Sequence, residues 1–159
     1  MGAKSTQETR DLFNSYGFRD AQTPVVILNG AIGQNALLGP QDETKYTTEI
    51  EKRLGASSTA MIEASMTEAS LMTAAVKLTN LSTNALGNIR LYAVVYEDLG
   101  TSHNHYLVRD ITPIESFTLS GHTTVSFELV SNVADSSAKH MVVILKSTSG
   151  TILQSVYVK

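Results

Sequence analysis

The fold of this chain is decided by the stretch Thr123-Thr124-Val125-Ser126-Phe127-Glu128-Leu129-Val130. From Val125 to Leu129 every odd-numbered residue is apolar and every even-numbered residue is polar. Side chains of an extended strand point alternately to its two faces, so the apolar set shares one face. The stretch therefore predicts a β-strand with one face on a core and the other in water.

The same alternation continues on both sides of this stretch. It predicts strands at 61–67, 71–81, 89–96, 106–108, 115–119, 123–130, 140–146 and 151–158. Turns are predicted at Leu86-Gly87-Asn88, Ser120-Gly121-His122 and Ser149-Gly150. Because no helical stretch interrupts the strands, residues 60–159 are predicted to form a two-sheet antiparallel β-sandwich.

The first 55 residues follow a different pattern. Helical spacing predicts one helix at 6–18 and another from Asp42 to Leu54, with Tyr46 and Ile50 on the same face as Leu54. Between them, the apolar run at 25–28 and the weaker run at 36–39 predict a β-hairpin. The small polar segment 55–59 predicts a domain boundary. The fold class is therefore α+β, with an α+β segment at 1–55 before the sandwich.

Composition excludes several classes of function. Of 159 residues, 17% are charged, the net charge is −3, and the Lys and Arg residues are scattered. A nucleic-acid partner is therefore not expected, because no basic stripe could neutralise a phosphate backbone. No apolar run is long enough to span a membrane. The absence of cysteine excludes disulfides, thiol nucleophiles and thiolate metal sites.

The N-terminal segment resembles the second half of a thioredoxin-like domain. The resemblance is carried by Tyr16-Gly17-Phe18, by Thr23-Pro24 and by the apolar run that ends at Asn29-Gly30. It implies a partial ββα unit in which Pro24 is cis and in which Thr23 and Pro24 bind an extended peptide. The Cys-x-x-Cys half of that family is absent, so this chain cannot perform disulfide exchange.

An incomplete thioredoxin-like unit would leave the edge and one face of its first strand open. Open apolar edges invite partners. We therefore expect this segment to pack on the sandwich, to form a homodimer through the 25–38 hairpin, or to be poorly ordered.

The C-terminal segment is similar to a domain that follows thioredoxin-like modules in exported bacterial proteins of the Omp28-related type. The similarity is carried by the residues at 91–98, by His103-Asn104-His105-Tyr106-Leu107-Val108-Arg109-Asp110, and by the ending at 142–157. It implies an Ig-like accessory domain in an extracytoplasmic protein of the periplasm, the cell envelope or the secreted fraction. It also implies that this chain is a segment of a longer protein.

Histidines are weak candidate ligands for zinc or copper. His103 and His105 would lie on one face of a strand, and His122 or His140 could add a third imidazole for zinc or copper. Surface or hydrogen-bonding roles in a turn-rich loop are favoured, so no metal and no cofactor is predicted.

Other polar and aromatic residues suggest structural or binding roles. Arg109 and Asp110 are interpreted as a structural ion pair, and Glu97-Asp98 as a solvated turn in preference to a calcium site. The four tyrosines that could form an aromatic surface stripe for a glycan or a peptide, or else pack across strands, are Tyr92, Tyr96, Tyr106 and Tyr157.

No catalytic motif emerges from the sequence, and the chain is not expected to be an enzyme. The leading hypothesis is a non-catalytic interaction or spacer module of an exported bacterial envelope protein. The alternative is a peptide-facing, accessory part of a thiol-disulfide oxidoreductase whose Cys-x-x-Cys half lies upstream. A carbohydrate- or metal-binding sandwich is a third hypothesis.

Overall fold

The computed structural model of the chain describes Gln7, Asp11 and residues 25–27, 36–38, 43–55, 57–100, 106–114 and 116–159. The elements, in chain order, are β1 (Val25–Ile27), β2 (Ala36–Leu38), α1 (Glu43–Leu54), β3 (Ala60–Met66), β4 (Leu71–Asn80), β5 (Leu86–Asp98), β6 (Tyr106–Pro113), β7 (Phe117–Leu119), β8 (Thr124–Ala134), β9 (Lys139–Ser147) and β10 (Ile152–Tyr157).

Two antiparallel sheets form a sandwich from β3 onward. The smaller sheet has the strand order β3-β4-β8. The larger sheet has five strands in the order β10-β9-β5-β6, with the short β7 also paired to β5. The prediction of an antiparallel sandwich that follows a short helix is therefore confirmed at the level of a mostly-β, sandwich-like domain.

The core lies between the two sheets and is built by the predicted alternation. Along β8, Leu129 is buried and Val125 and Phe127 are half-buried, whereas the intervening Thr124, Ser126 and Glu128 are exposed. The other strands contribute in the same way. The fully enclosed apolar side chains include Leu78 and Met72 of β4, Leu91 and Val95 of β5, and Met141 and Leu145 of β9.

The edges of the two sheets lie against each other. On one side, β10 meets β3: the Met66 amide donates to the Lys159 carbonyl at 3.0 Å, and β3 and β10 are in contact. On the other side, β6 meets β8, where the Asn132 amide donates to Asp110 Oδ2 at 3.0 Å. The sandwich is therefore partly closed along both sides.

The N-terminal elements are small. β1 and β2 pair antiparallel, with Val26 opposite Leu37, which confirms the predicted hairpin. Helix α1 begins at the acidic Glu43, whose negative charge interacts favourably with the positive end of the helix dipole. Its predicted apolar face is largely in water, because Ile50 is 45% and Leu54 80% exposed. No helix among the described residues is long and apolar enough to cross a bilayer.

One predicted turn is wrong. Leu86-Gly87-Asn88 lies inside β5 and pairs with β7 through a register irregularity between Leu86 and Ile89. Asn88 has a φ of 51°, in the left-handed region that Asn tolerates better than most residues. The Gly-Asn pair therefore bends a continuous strand and does not end it. The predicted turns at Gly121-His122 and Ser149-Gly150 are confirmed.

Candidate functional site: an aromatic row and an end cavity

The outer face of the three-stranded sheet is mostly polar. Its centre carries an ion pair between Lys77 Nζ and Glu63 Oε2 at 3.2 Å. Beside it, the hydroxyls of Thr79 and Thr124 are 2.9 Å apart. Met61 and Val130, which are 40% and 43% exposed, are apolar residues on the same face.

The outer face of the five-stranded sheet is different. Val94 of β5 lies directly opposite Val142 of β9, and Tyr92 lies opposite Ile144. These side chains are half-buried, and they point away from the core, on the opposite face from Leu91, Ala93 and Val95. This sheet therefore presents apolar and aromatic side chains on both of its faces.

An aromatic row crosses this outer face at one end. It consists of Tyr106, Tyr96, His140 and Tyr157, one residue each from β6, β5, β9 and β10. Tyr96 lies directly opposite His140. Tyr106 lies opposite Asp98, and Tyr157 lies opposite Val142, so the row runs diagonally over the strands. The topology of the sheet, and not the order of the sequence, brings these four rings together.

The rings of the aromatic row are in contact. The ring centroids of Tyr106 and Tyr96 are 5.5 Å apart, with their planes at 86°. Those of Tyr96 and His140 are 5.3 Å apart, and those of His140 and Tyr157 are 5.9 Å apart, both tilted by 39°. Edge and tilted contacts are the favoured geometries for aromatic pairs. Tyr106 is 68% and Tyr157 43% exposed, so both ends of the row are accessible.

Hydrogen bonding and charge define the polarity of the row. Tyr157 Oη and His140 Nδ1 are 2.6 Å apart. Burial raises the pKa of the Tyr96 hydroxyl above its usual 10.0, and Tyr157, Tyr106 and Asp98 raise it further. These groups therefore surround the Tyr96 hydroxyl closely enough to disfavour its negative charge.

A cavity of about 370 Å³ opens at the same end of the sandwich. We call it the end cavity. Met66, Met72 and Met141 form its apolar part, and the β8–β9 turn contributes polar groups to its rim. The remaining lining residues are Asp135, Ser136, Ser137, Lys139, His140, Tyr157, Val158 and Lys159. His140 and Tyr157 thus belong to both the aromatic row and the end cavity.

The turn that forms this rim is held at both ends. The Asp135 amide donates to the Ser70 carbonyl at 3.1 Å, and the Lys139 amide donates to the Ser136 carbonyl at 3.0 Å. Lys139 Nζ donates to the Ala134 carbonyl at 2.8 Å. The rim is therefore a defined turn that carries hydroxyl, ammonium and carboxylate groups at the cavity mouth.

Most of the predicted peptide-binding and metal-ligand residues lie outside the part of the chain that the structure describes. Thr23 and Pro24 lie outside the described residues, as do His103 and His105. The two other histidines are far apart: His122 precedes β8 and His140 follows it, at opposite ends of a strand about 35 Å long. Those two cannot share one metal ion. In the part of the chain that is described, no three His, Asp or Glu residues are grouped to hold a metal.

The predicted Arg109–Asp110 ion pair is wrong. Arg109 Nε donates to Glu97 Oε2 at 2.6 Å. Asp110 Oδ2 accepts from Thr112 Oγ1 at 2.9 Å, besides its bond from the neighbouring strand β8. The cause is a bulge between β5 and β6, since Val95 pairs with Asp110 but Tyr96 pairs with Val108. The extra residue, Arg109, is thereby turned toward Glu97.

The predicted tyrosine stripe is partly assembled. Tyr96, Tyr106 and Tyr157 join the aromatic row, but Tyr92 lies four residues along β5 from Tyr96 and makes no described ring contact with it. His140 takes the middle position, and sequence reasoning considered it only as a distant metal ligand. The sequence does place His140 at the start of a predicted alternating strand. It does not give the cross-strand register, which determines the ring that His140 meets.

Comparison with known proteins shows the fold and no more. No protein family matches the sequence, and no curated protein does. A structural genomics protein from Agrobacterium tumefaciens is 15% identical over 99% of this chain and 72% of its own length, with a TM-score of 0.59. At that identity the likeness extends to the arrangement of helix and sheets alone.

Two larger proteins contain a similar but more distant region. An alkylpurine DNA glycosylase from Pseudomonas fluorescens matches 70% of this chain with 13% identity and a TM-score of 0.44. A β-glucuronidase from Bacteroides uniformis matches 62% of it with 13% identity and a TM-score of 0.42. This chain spans only 34% and 12% of their respective lengths.

Proposed function

We propose that this chain is a non-catalytic interaction module of an exported bacterial protein, and that it recognises its partner with the outer face of the five-stranded sheet. The observation that supports this proposal is the contrast between the two outer faces. One is mostly polar, with an ion pair at its centre and separate exposed apolar residues, whereas the other carries neighbouring half-buried apolar residues and an accessible row of contacting aromatic rings. Grouped exposed aromatic and apolar side chains are typical of binding surfaces.

Tyrosine is well suited to this role. Its ring contributes a large apolar area and its hydroxyl offers a hydrogen bond, so it is over-represented among the residues that dominate binding energy. Tyr106 and Tyr157 have such rings at the two ends of the aromatic row. Tyr96, between them and in contact with Tyr106, adds a third hydroxyl that can donate or accept.

The finer assignment of this module follows the sequence resemblances. We propose that the sandwich is Ig-like and that β1, β2 and α1 belong to a partial thioredoxin-like unit, whose hairpin-then-helix order they share. On this view the parent protein is extracytoplasmic. The two-stranded sheet has no third strand among the described residues, which supports a homodimer formed through the 25–38 hairpin.

Site-specific photo-crosslinking tests the recognition surface. The photoreactive residue p-benzoylphenylalanine replaces Tyr106, Tyr157 or Met61, one at a time, in a bacterium that exports the chain. Met61 is the matched control, since it is 40% exposed on the opposite sheet, against 43% for Tyr157. We expect discrete adducts from the two tyrosine positions and none from Met61. Equal labelling at all positions, or none at Tyr106 and Tyr157, would refute the proposal.

The oxidoreductase alternative rests on the hairpin and helix of the N-terminal segment. It requires a thiolate pair that this chain lacks. The deciding observation is the coding sequence of the parent gene before Lys4. A Cys-x-x-Cys motif behind a signal peptide would favour the alternative, and an upstream region without cysteine would eliminate it.

A further inference from the structure

We propose that the aromatic row and the end cavity form one binding site for the end of a neutral oligosaccharide chain. The proposal rests on the proposed function, because it names the class of partner for the same face. It depends on one juxtaposition. His140 and Tyr157 are the last two residues of the row, and both also line the cavity. A ligand bound along the row therefore extends to the mouth of the cavity.

The row has the chemistry that sugars require. A pyranose ring has an apolar C–H face, which packs on aromatic rings, and a rim of hydroxyls that need donors and acceptors. Tyr106 and Tyr157 provide accessible rings, since they are 68% and 43% exposed. The Tyr157 hydroxyl, 2.6 Å from His140 Nδ1, is already oriented by that hydrogen bond. Apolar surface and oriented polar groups thus alternate within a few ångströms.

The end cavity adds a place for a terminal sugar unit. Its volume of about 370 Å³ is within the range of small-molecule sites. Of its methionine side chains, Met72 and Met141 are enclosed and form the cavity floor, and the half-buried Met66 offers a polarisable apolar contact. Its rim bears the hydroxyls of Ser136 and Ser137 and the carboxylate of Asp135, all exposed. A hydroxyl-rich chain end can bond to all of these groups.

The charges along the aromatic row favour a neutral ligand over an anionic one, whereas the cavity rim carries the ammonium groups of Lys139 and Lys159 beside the Asp135 carboxylate. The row contains no Lys or Arg, and Asp98 lies close enough to raise the pKa of Tyr96, so a phosphate or carboxylate along the row would meet negative charge. A proline-rich peptide also docks on aromatic grooves, but it offers carbonyl acceptors and few donors. Such a peptide would have no donor to replace the water around the exposed Asp135 carboxylate, whereas the hydroxyls of a sugar can donate to it.

Isothermal titration of the whole chain tests the proposal with three probes: cellohexaose, a hexamer of galacturonic acid, and decaproline. We expect cellohexaose to bind, and the acidic hexamer to bind more weakly. Tyr106→Ala and Tyr157→Ala should each weaken cellohexaose binding by at least about fivefold. Ser137→Trp should do the same by obstructing the cavity from an exposed turn, where a large side chain is tolerated.

Two matched variants separate a binding role from a folding role. Tyr157→Phe keeps the ring and should lose less affinity than Tyr157→Ala, and Met61→Ala on the opposite sheet should bind as the unaltered chain does. Far-ultraviolet circular dichroism verifies that each variant is folded.

Three results would overturn the proposal. The first is that no probe binds, and the second is that the acidic hexamer binds more tightly than cellohexaose. The third is that decaproline binds and cellohexaose does not, which would remove the sugar assignment but leave the aromatic row as a recognition surface. The photo-crosslinking experiment decides that broader question independently of any sugar.

Discussion

Replacing Asn80 should destabilise the sandwich more than any exposed substitution. Asn80 is the last residue of β4 and has no exposed surface. The two hydrogens of its Nδ2 are within hydrogen-bonding distance of three carbonyls, those of Asn84 at 2.8 Å, Leu119 at 3.1 Å and Ser120 at 3.1 Å, so that one hydrogen is shared. Its Oδ1 accepts from the amide and the hydroxyl of Ser82, both at 2.9 Å. One amide therefore holds the β4–β5 connection against the turn after β7.

The expected cost follows from these bonds. Asn80→Ala removes all of these bonds, at about 1 kcal/mol for each good hydrogen bond lost. The cost is higher for the Leu119 carbonyl, because its bond to Asn80 is buried and water does not readily replace it. We expect a loss of about 3–5 kcal/mol in the free energy of unfolding, a large share of the roughly 5–15 kcal/mol typical of a domain. The midpoint of thermal unfolding should fall by roughly 10–20 °C.

Asn80→Asp sharpens the test because it keeps the shape. In this variant a carboxylate oxygen replaces the Nδ2 donor and faces the same carbonyl oxygens. Burial and repulsion from these oxygens should therefore raise the pKa of the new carboxyl group in the folded state. A group with a raised folded pKa stabilises fully only below its unfolded value of about 3.9, and that contribution is lost as pH rises through the folded value. The stability gap between Asn80→Asp and the unaltered chain should therefore narrow on acidification.

Urea unfolding followed by circular dichroism, at neutral and acidic pH, measures these differences. Asn84→Ala is the control, since Asn84 is exposed and only its backbone carbonyl accepts from Asn80. It should change stability by less than about 0.5 kcal/mol. A cost below about 1 kcal/mol for Asn80→Ala, or an Asn80→Asp variant as stable at pH 7 as the unaltered chain, would refute the reasoning.

Three further predictions concern other parts of the chain. Gly121→Ala should cost about 1–3 kcal/mol in urea unfolding, because a Cβ there would collide with the Thr83 carbonyl, whereas Gly87→Ala, with open space around its Cβ, should cost little. In an ultraviolet pH titration, Tyr96 should ionise above the usual tyrosine pKa of about 10, and the free energy of unfolding should fall as pH rises above about 10 and through its raised pKa. Tyr96→Phe should remove that pH-dependent component. The 25–38 hairpin should produce concentration-dependent dimers in light scattering, and a strict monomer across the series would contradict the dimer.

The sequence predicted the elements that depend on local pattern. The alternation from Val125 to Leu129 reports directly on which side chains face the core, because the pleat of a strand has a fixed period of two. The hairpin at 25–38 was predictable for a similar reason, since a turn signal separates two apolar runs. The exposure of Ile50 and Leu54 on α1 was not, because spacing defines a face but not what covers it.

The candidate site depends on register, which the sequence does not contain. Tyr96 meets His140 because β5 pairs with β9 across a long connection, and Arg109 turns to Glu97 because one residue is inserted at a bulge. A shift of one residue moves every side chain of a strand to the other face. The tyrosines could be named as a stripe, but which of them meet, and which histidine joins them, required the paired strands.

The opposed edges of the two sheets limit how this domain can be bound. With β10 against β3 and β6 against β8, the sheet edges are partly covered, so a foreign strand that extended either sheet would have to displace these contacts. Recognition of a ligand is therefore expected through side-chain contacts and not through backbone hydrogen bonds to a sheet edge. Backbone pairing tolerates almost any sequence, whereas side-chain contacts change with each substitution. The domain can thus acquire a new specificity by point substitution on one face while its core and edges stay the same.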